Sequence, residues 1–205
     1  MTWEFEEKAW ANGFSAVCGV DEAGRGPIAG PVCAAAVILP GGVVIDGLND
    51  SKKLSEKKRE ALFDEITRQA VAWSVSLVDE KTIDEINILQ ATYRAMRQAV
   101  EGLTTPADFV YVDGNRSEGL TVPFECVVSG DAKVPSVAAA SILAKVTRDR
   151  LMRQFGERYP VYGFEKHKGY ETRAHDEALL AHGPCPIHRM SFLKKFRGKH
   201  PEVTW

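Results

Sequence analysis

The sequence predicts an α/β domain. Three observations carry this: strand-like and helix-like segments alternate along the chain, no repeat, low-complexity tract or Ser/Pro-rich linker separates them, and acidic residues stand just past the ends of apolar runs. At 205 residues, 44% hydrophobic and 26% charged, the chain has apolar surface for one sizeable core, so a single domain over 1–205 is expected.

The first strand, Ala16 to Val20, runs into Asp21; a second, Pro31 to Leu39, ends at the turn Pro40-Gly41-Gly42, and the two are suited to a hairpin. Ser55 is a good N-cap for a helix reaching about Gln69, because its hydroxyl can accept from an otherwise orphaned amide. Val71 to Val78 alternates apolar with polar and reads as a third strand. In the clearest helix, Thr82 and Glu85 form a capping box, and Ile83, Ile86, Leu89, Tyr93, Met96, Val100 and Leu103 recur at helical steps to give one buried face. Phe109 to Val112 is a strand ending at Asp113, and Phe124 to Val128 is another ending near Asp131. Pro135 to Tyr159 reads as a long helix whose first half, VAAASILA, is apolar on most faces and so packs on the sheet. A last helix covers Thr172 to Ala181.

A formal net charge of -2 does not suggest a general nucleic-acid-binding protein, so any affinity for phosphate must come from where the charges lie. From Ala181 to Lys199 there are five Lys or Arg residues and no Asp or Glu, a stretch that could lie along a polyanion or stay solvated. Cys18, Cys33, Cys126 and Cys185 form no CxxC pair, and buried reduced thiols are expected. Nowhere does the chain approach the ~20 apolar residues of a membrane span, and a cytoplasmic location is expected.

In open α/β sheets the crevice just past the strand ends is the usual ligand site, and Asp21, Glu22, Asp113 and Asp131 fall there. Singly, an Asp-Glu pair or an Asp-Gly dipeptide reads as a turn. Together, carboxylates converging beside a buried sheet repel one another unless a cation is present. All-oxygen ligands suit Mg²⁺ or Mn²⁺, and two such ions about 3.5–4 Å apart can serve the entering and leaving oxygens of phosphodiester hydrolysis.

DEAGRGP (Asp21 to Pro27), NDSKKLS (Asn49 to Ser55), YVDGN (Tyr111 to Asn115), GDAKVPSVAAASILAKVTRDR (Gly130 to Arg150), KGYETRAH (Lys168 to His175) and HRMSF (His188 to Phe192) appear in that order over most of the chain. In these motifs the chain resembles the type 2 ribonucleases H, the ribonuclease HII family. The resemblance implies a ribonuclease H-like fold, with a mixed five-stranded sheet flanked by helices and a small helical C-terminal part from about residue 165. It implies an endonuclease acting on the RNA strand of RNA/DNA hybrids and 5′ to single ribonucleotides in duplex DNA, leaving 3′-hydroxyl and 5′-phosphate ends.

The same resemblance implies a site for two Mg²⁺ or Mn²⁺ ions made by Asp21, Glu22, Asp113 and Asp131. It places Gly24, Arg25 and Gly26 along the minor groove, where glycines let the backbone approach the 2′-hydroxyl, and Tyr170 on the sugar of the following nucleotide. On residue type alone Gly-Arg-Gly is a plain turn and Tyr170 a half-buried aromatic. Lys52, Lys53, Lys145, Arg148 and Lys168 are candidates for phosphate contact or solvated charge, and His175 and His188 for structural hydrogen bonding. A QxxL…FF clamp-binding pattern is lacking, so sliding-clamp recruitment is not expected, and a monomer is. Two other readings stay open: a type 3 ribonuclease H, disfavoured by the short stretch before DEAGRGP, and a hybrid-binding protein without turnover, disfavoured because carboxylates repel phosphate unless metal intervenes.

Overall fold

The sheet grows from strands whose residues are small enough to be covered on both faces. In the computed structural model, which describes residues 1–49 and 51–205, β1 (Val17–Ala23) and β2 (Val32–Ile38) pair antiparallel, and every residue of β2 is buried. Cys33, Ala34, Ala35 and Ala36 alternate between the two faces of the sheet, and their small side chains leave room for a helix on each. β3 (Ala72–Val78) extends the antiparallel edge, while β4 (Phe109–Asp113) and β5 (Phe124–Val127) add in parallel beside β1, giving a mixed sheet of order β3-β2-β1-β4-β5. The hairpin and the mixed five-stranded sheet are as expected.

α1 (Glu4–Ala11), α2 (Glu56–Gln69), α3 (Glu80–Glu101) and α4 (Pro135–Arg158) flank this sheet, and α5 (Phe164–His167), α6 (Arg173–His182) and α7 (Lys194–Lys199) form the C-terminal part. On one face, Cys18, Val20, Ala34 and Val112 pack with Ala91, Ala95 and Met96 of α3. On the other, Ala35 and Val37 meet Ala139, Leu143 and Ile142 of α4, with Leu62 and Ile66 of α2 alongside.

The closest approach of backbone to backbone is at Gly19, where an added Cβ would stand 2.1 Å from the Ser136 carbonyl carbon. That contact seats the first turn of α4 directly on β1. Since Pro135 brings no N–H and Val134 caps with no side chain, the buried Glu6 of α1 does so from a distance: its Oε1 accepts from Ser136 N at 3.1 Å and Ser136 Oγ at 2.8 Å. Tyr111 Oη donates to Phe5 O at 2.7 Å and ties α1 to β4. α1 has no strong sequence signal of its own and was not expected.

Two local expectations differ from the structure. Ser55 caps α2 as expected, but α3 is capped by Asp79, whose Oδ1 accepts from Thr82 N at 2.8 Å, so Thr82 lies in the first turn and the Thr82–Glu85 capping box does not form. A carboxylate three residues earlier meets the helix N-terminus better than a hydroxyl. The helix also breaks at Asn87 (φ 66°, ψ 165°), whose Oδ1 accepts from Leu89 N and Gln90 N and starts the second segment afresh. The four thiols are free; Cys18 and Cys33 are fully buried, and burial pushes each up to about 12.

Gly19→Ala is expected to be costly because the obstruction is helix backbone, which cannot turn aside. A loss of roughly 2 kcal/mol or more and a fall in Tm of about 5 °C are expected in a thermal melt; a melt within about 1 °C of the parent would contradict the packing described.

Candidate active site

Pairing in the sheet brings the acids together. β1 and β4 run parallel with Val20 opposite Val112, so Asp21 and Asp113 follow on adjacent strands at the same end. β1 does not stop at Val20, as expected from sequence. It continues through Asp21 and Glu22 to Ala23, held against β2 by the pairs Asp21–Ala35 and Ala23–Cys33. After β5, Ser129 takes a left-handed conformation (φ 57°) and turns the chain into a 3-10 segment, Gly130–Ala132. Asp113 Oδ1 there accepts from Gly130 N at 2.7 Å and more weakly from Asp131 N at 3.4 Å, which fixes Asp131 beside it.

Asp21, Glu22 and Asp113 line one cleft of about 230 Å³, together with Gly24, Arg25, Gly26 and Tyr170. The cleft therefore unites three of the acids with the Gly-Arg-Gly loop and the tyrosine, although they are remote in sequence. Tyr170 is 47% exposed and lies over Gly26: a Cβ added to Gly26 would stand 3.5 Å from Tyr170 Cε1. Lys52 reaches in, with Nζ 3.3 Å from Asp131 Oδ2, and Arg25 Nη1 lies 3.3 Å from Glu22 Oε1. Lys53 is exposed at the end of the 3-10 segment Ser51–Lys53 and does not line the cleft. Asp50, within the NDSKKLS motif, lies outside the described residues.

Asp21 is held well above the usual carboxylate range, first by burial and then by the charges of Glu22 and Asp113. Glu22 is raised as well, again mainly by burial, against the pull of Arg25. The donors are carboxylate oxygens throughout, the chemistry that a hard divalent cation prefers. Among the described residues, however, no group of three or more His, Cys, Asp or Glu is arranged so that it could hold a metal ion as it stands. Arg25 and Lys52 instead lie against Glu22 and Asp131, where they offset part of the negative charge.

The other basic candidates divide. Lys145 lines the cleft and pairs with Asp149 at 2.7 Å. Arg148 is buried and donates to the carbonyls of Pro31, Lys168 and Ala29, which makes it a strut and not a surface phosphate contact. Arg150, next on the same helix, pairs with Glu60 on α2. Lys168 takes a left-handed conformation (φ 54°) and its Nζ bonds Glu165 O. Arg189, counted above in a basic stretch, is fully buried, because its donors find loop carbonyls.

His175 and His188 are structural, as one reading held. Cys185 N donates to His188 Nδ1 at 2.9 Å, so His188 carries its proton on Nε2 and gives it to His175 Nε2 at 3.0 Å; His175 Nδ1 in turn donates to Tyr170 O at 2.9 Å. Burial holds both rings down to about 4, in the neutral form this chain of bonds requires.

Sequence reasoning missed Ser51 and Ser141, which line the cleft and share a hydrogen bond of 2.8 Å. The Ser141 hydroxyl also acts on Asp21, lowering that carboxyl against the rise from burial. A lone hydroxyl inside the otherwise apolar VAAASILA face was the available signal.

A mixed five-stranded sheet with carboxylates at the ends of its neighbouring parallel strands defines a nuclease of the ribonuclease H type. The family model for ribonuclease HII matches residues 18–195, and the chain belongs to the ribonuclease HII family. It is similar to the ribonuclease HII of Caldicellulosiruptor saccharolyticus, with 54% identity over 192 residues covering 94% of each chain. Among solved structures it resembles ribonuclease H2 from Pyrococcus horikoshii OT3, with a TM-score of 0.78, 28% identity, and coverage of 92% of this chain and 100% of that one. It also resembles the ribonuclease HII of Archaeoglobus fulgidus, solved in complex with PCNA, with a TM-score of 0.71 and 27% identity over 86% of this chain and 93% of that one. The protein is thus a ribonuclease H, from a family of divalent-metal-dependent endonucleases that cut RNA in RNA/DNA hybrids.

The raised acids bear on stability with a definite sign. A carboxyl that holds its proton more tightly in the fold than in the unfolded chain favours folding below its ordinary range, and this is lost as pH rises through the elevated value. Asp21→Asn is therefore expected to raise the Tm of the metal-free protein at about pH 7.5, and to bring no gain below about pH 4. A lower Tm for the variant at neutral pH in chelator would overturn this account of Asp21.

Proposed function

We propose that this chain cleaves on the 5′ side of a ribonucleotide, including a single ribonucleotide within duplex DNA, and leaves 3′-hydroxyl and 5′-phosphate ends. The reading rests on one observation: three of the acids, Asp21, Glu22 and Asp113, line the same cleft as the Gly24–Gly26 loop and Tyr170. A nuclease must hold the scissile phosphate at the acids while it tests the adjoining sugar, and a shared cleft for these features supports both tasks in one site.

Asp21, Glu22, Asp113 and Asp131 would hold two divalent ions, Mg²⁺ or Mn²⁺. Their oxygen chemistry and the raised state of Asp21 and Glu22 support this, since a cation removes the repulsion that burial amplifies. Bound there, the ions would supply activation of water and neutralisation of charge on the departing oxygen. With cations on the acids, Arg25, now against Glu22, would turn towards phosphate.

The remaining roles belong to the chain itself. Exposed backbone at Arg25 and Gly26 would approach the 2′-hydroxyl, with Tyr170 beside it. The exposed Tyr170 ring packs on the sugar of the next nucleotide, where a deoxyribose lies flat and a ribose hydroxyl intrudes. Lys52, Lys53 and Lys145 would meet phosphates along the duplex. The whole chain is proposed to act as one domain and as a monomer in the cytoplasm, in ribonucleotide removal during replication and repair; no helix among the described residues is long and apolar enough to cross a membrane. Clamp recruitment is not proposed, because the QxxL…FF pattern is lacking.

On an end-labelled DNA duplex with one ribonucleotide, a single cut 5′ to that position is expected with Mg²⁺ or Mn²⁺ and none with chelator. Asp113→Asn should abolish the cut while keeping the parent's melting profile; unchanged turnover in that variant would sink the assignment. Tyr170→Ala should lower cleavage at the single ribonucleotide about 10-fold or more relative to a long hybrid, the scale of one lost stacking contact. An equal loss on both substrates would remove the tyrosine from junction recognition.

A further inference from the structure

We propose that Arg189 is the positioning residue for ribose recognition: it fixes the Gly24 and Arg25 carbonyls inward and so turns the next two peptide N–H groups out towards the substrate. The proposal rests on the reading that this loop meets the 2′-hydroxyl.

Arg189 is fully buried, yet among the described residues no carboxylate forms an ion pair with it. Its guanidinium is solvated by the loop instead. Nη2 donates to Gly24 O at 2.6 Å, Nη1 to Arg25 O at 3.0 Å and Nε to Gly30 O at 2.8 Å. A buried charge without an ion pair is costly, and a well-packed apolar residue would ordinarily serve stability better. The arrangement therefore asks for a reason beyond packing.

Peptide geometry supplies one. In a planar trans peptide the N–H points opposite to the preceding C=O. With the Gly24 and Arg25 carbonyls drawn inward by a single fork, the N–H groups of Arg25 and Gly26 are directed outward, side by side. Both residues are exposed, both line the cleft with Asp21, Glu22 and Asp113, and among the described residues nothing accepts a hydrogen bond from either amide. The result is a pair of unused donors held at a set orientation, suited to one oxygen atom.

The flanking contacts explain why the loop cannot relax. Gly24 has φ +94°, and a Cβ there would stand 2.0 Å from Arg148 Nε, so a second buried arginine lies flat against it. Arg148 also holds Ala29 O and Pro31 O, and Arg189 N donates to Ile28 O at 2.9 Å. A guanidinium suits the task because its nitrogens are coplanar and reach consecutive carbonyls together; a lysine ammonium carries its three donors on one atom and lacks that fixed fork.

The test compares wild type with Arg189→Lys on duplex DNA with one ribonucleotide, and on the same duplex with the 2′-hydroxyl replaced by fluorine. Calorimetric Mn²⁺ binding checks that the acids are intact. Wild type is expected to lose about 100-fold in kcat on the fluoro duplex. Arg189→Lys is expected to cut the ribonucleotide duplex about 100-fold more slowly with KM within about twofold, to gain nothing from the hydroxyl over fluorine, and to bind Mn²⁺ as before. A folded Lys variant that keeps the wild-type kcat and the hydroxyl preference overturns the positioning role alone. A wild type indifferent to fluorine overturns the reading beneath it, and the inference with it. Should the Lys variant fail to fold, side-chain NMR of Arg189 in the wild type decides. With Ca²⁺ present, its Nη protons shift on binding the ribonucleotide duplex and not the all-DNA duplex; identical responses to the two overturn the proposal.

Discussion

Everything at the site depends on how closely α4 lies on β1. Gly19 carries no side chain, so the first turn of α4 rests on strand backbone, and Glu6 caps that turn from α1. With the helix fixed there, Ser141 arrives over Asp21 and Arg148 reaches the loop beyond β1. A helix displaced outward by one methyl group would leave Asp21 without Ser141 and Gly24 without Arg148. The small residues of β1 and β2 are thus a condition of the site as well as of the core.

The site itself works against the fold. Asp21 and Glu22 are buried beside each other and beside Asp113, so their ionised forms are disfavoured in the protein relative to the unfolded chain. Arg25 and Lys52 temper this from the rim, where solvent weakens their pull. Such an arrangement makes sense for residues whose charge is completed by a bound cation. The histidine pair lies at the opposite extreme: both rings are buried neutral, every ring nitrogen has a partner, and the pair ends on the carbonyl of Tyr170.

The C-terminal part contributes chiefly from beneath the cleft. Arg189 and His188 come from one short motif, and they reach two different substrate-facing segments, the Gly24–Arg25 carbonyls and, through His175, Tyr170. Ile28 N also donates to Gly169 O at 2.9 Å, joining those segments directly. Loop and tyrosine are therefore tied by hydrogen bonds to the C-terminal part, which links a motif without a cleft-lining residue to the cleft.

Much of this was legible in the chain. Apolar runs leading into Asp21, Asp113 and Asp131 marked strands that end in acids, because a carboxylate next to a buried sheet requires a purpose, and Ser55 announced α2 by its hydroxyl. The fold class, the five strands and the four acids follow from such local signals together with the family motifs. What stayed hidden depends on partners distant in sequence. α1 is held by contacts to β4 and α4, Asp79 competes with Thr82 for a cap, and the burial of Arg148 and Arg189 is decided by carbonyls of a loop more than a hundred residues away. Periodicity and capping are properties of neighbours along the chain, so sequence determined the elements and their acids. Which arginine is a strut and which serine meets a carboxylate are properties of neighbours in space, and only the tertiary structure decided them.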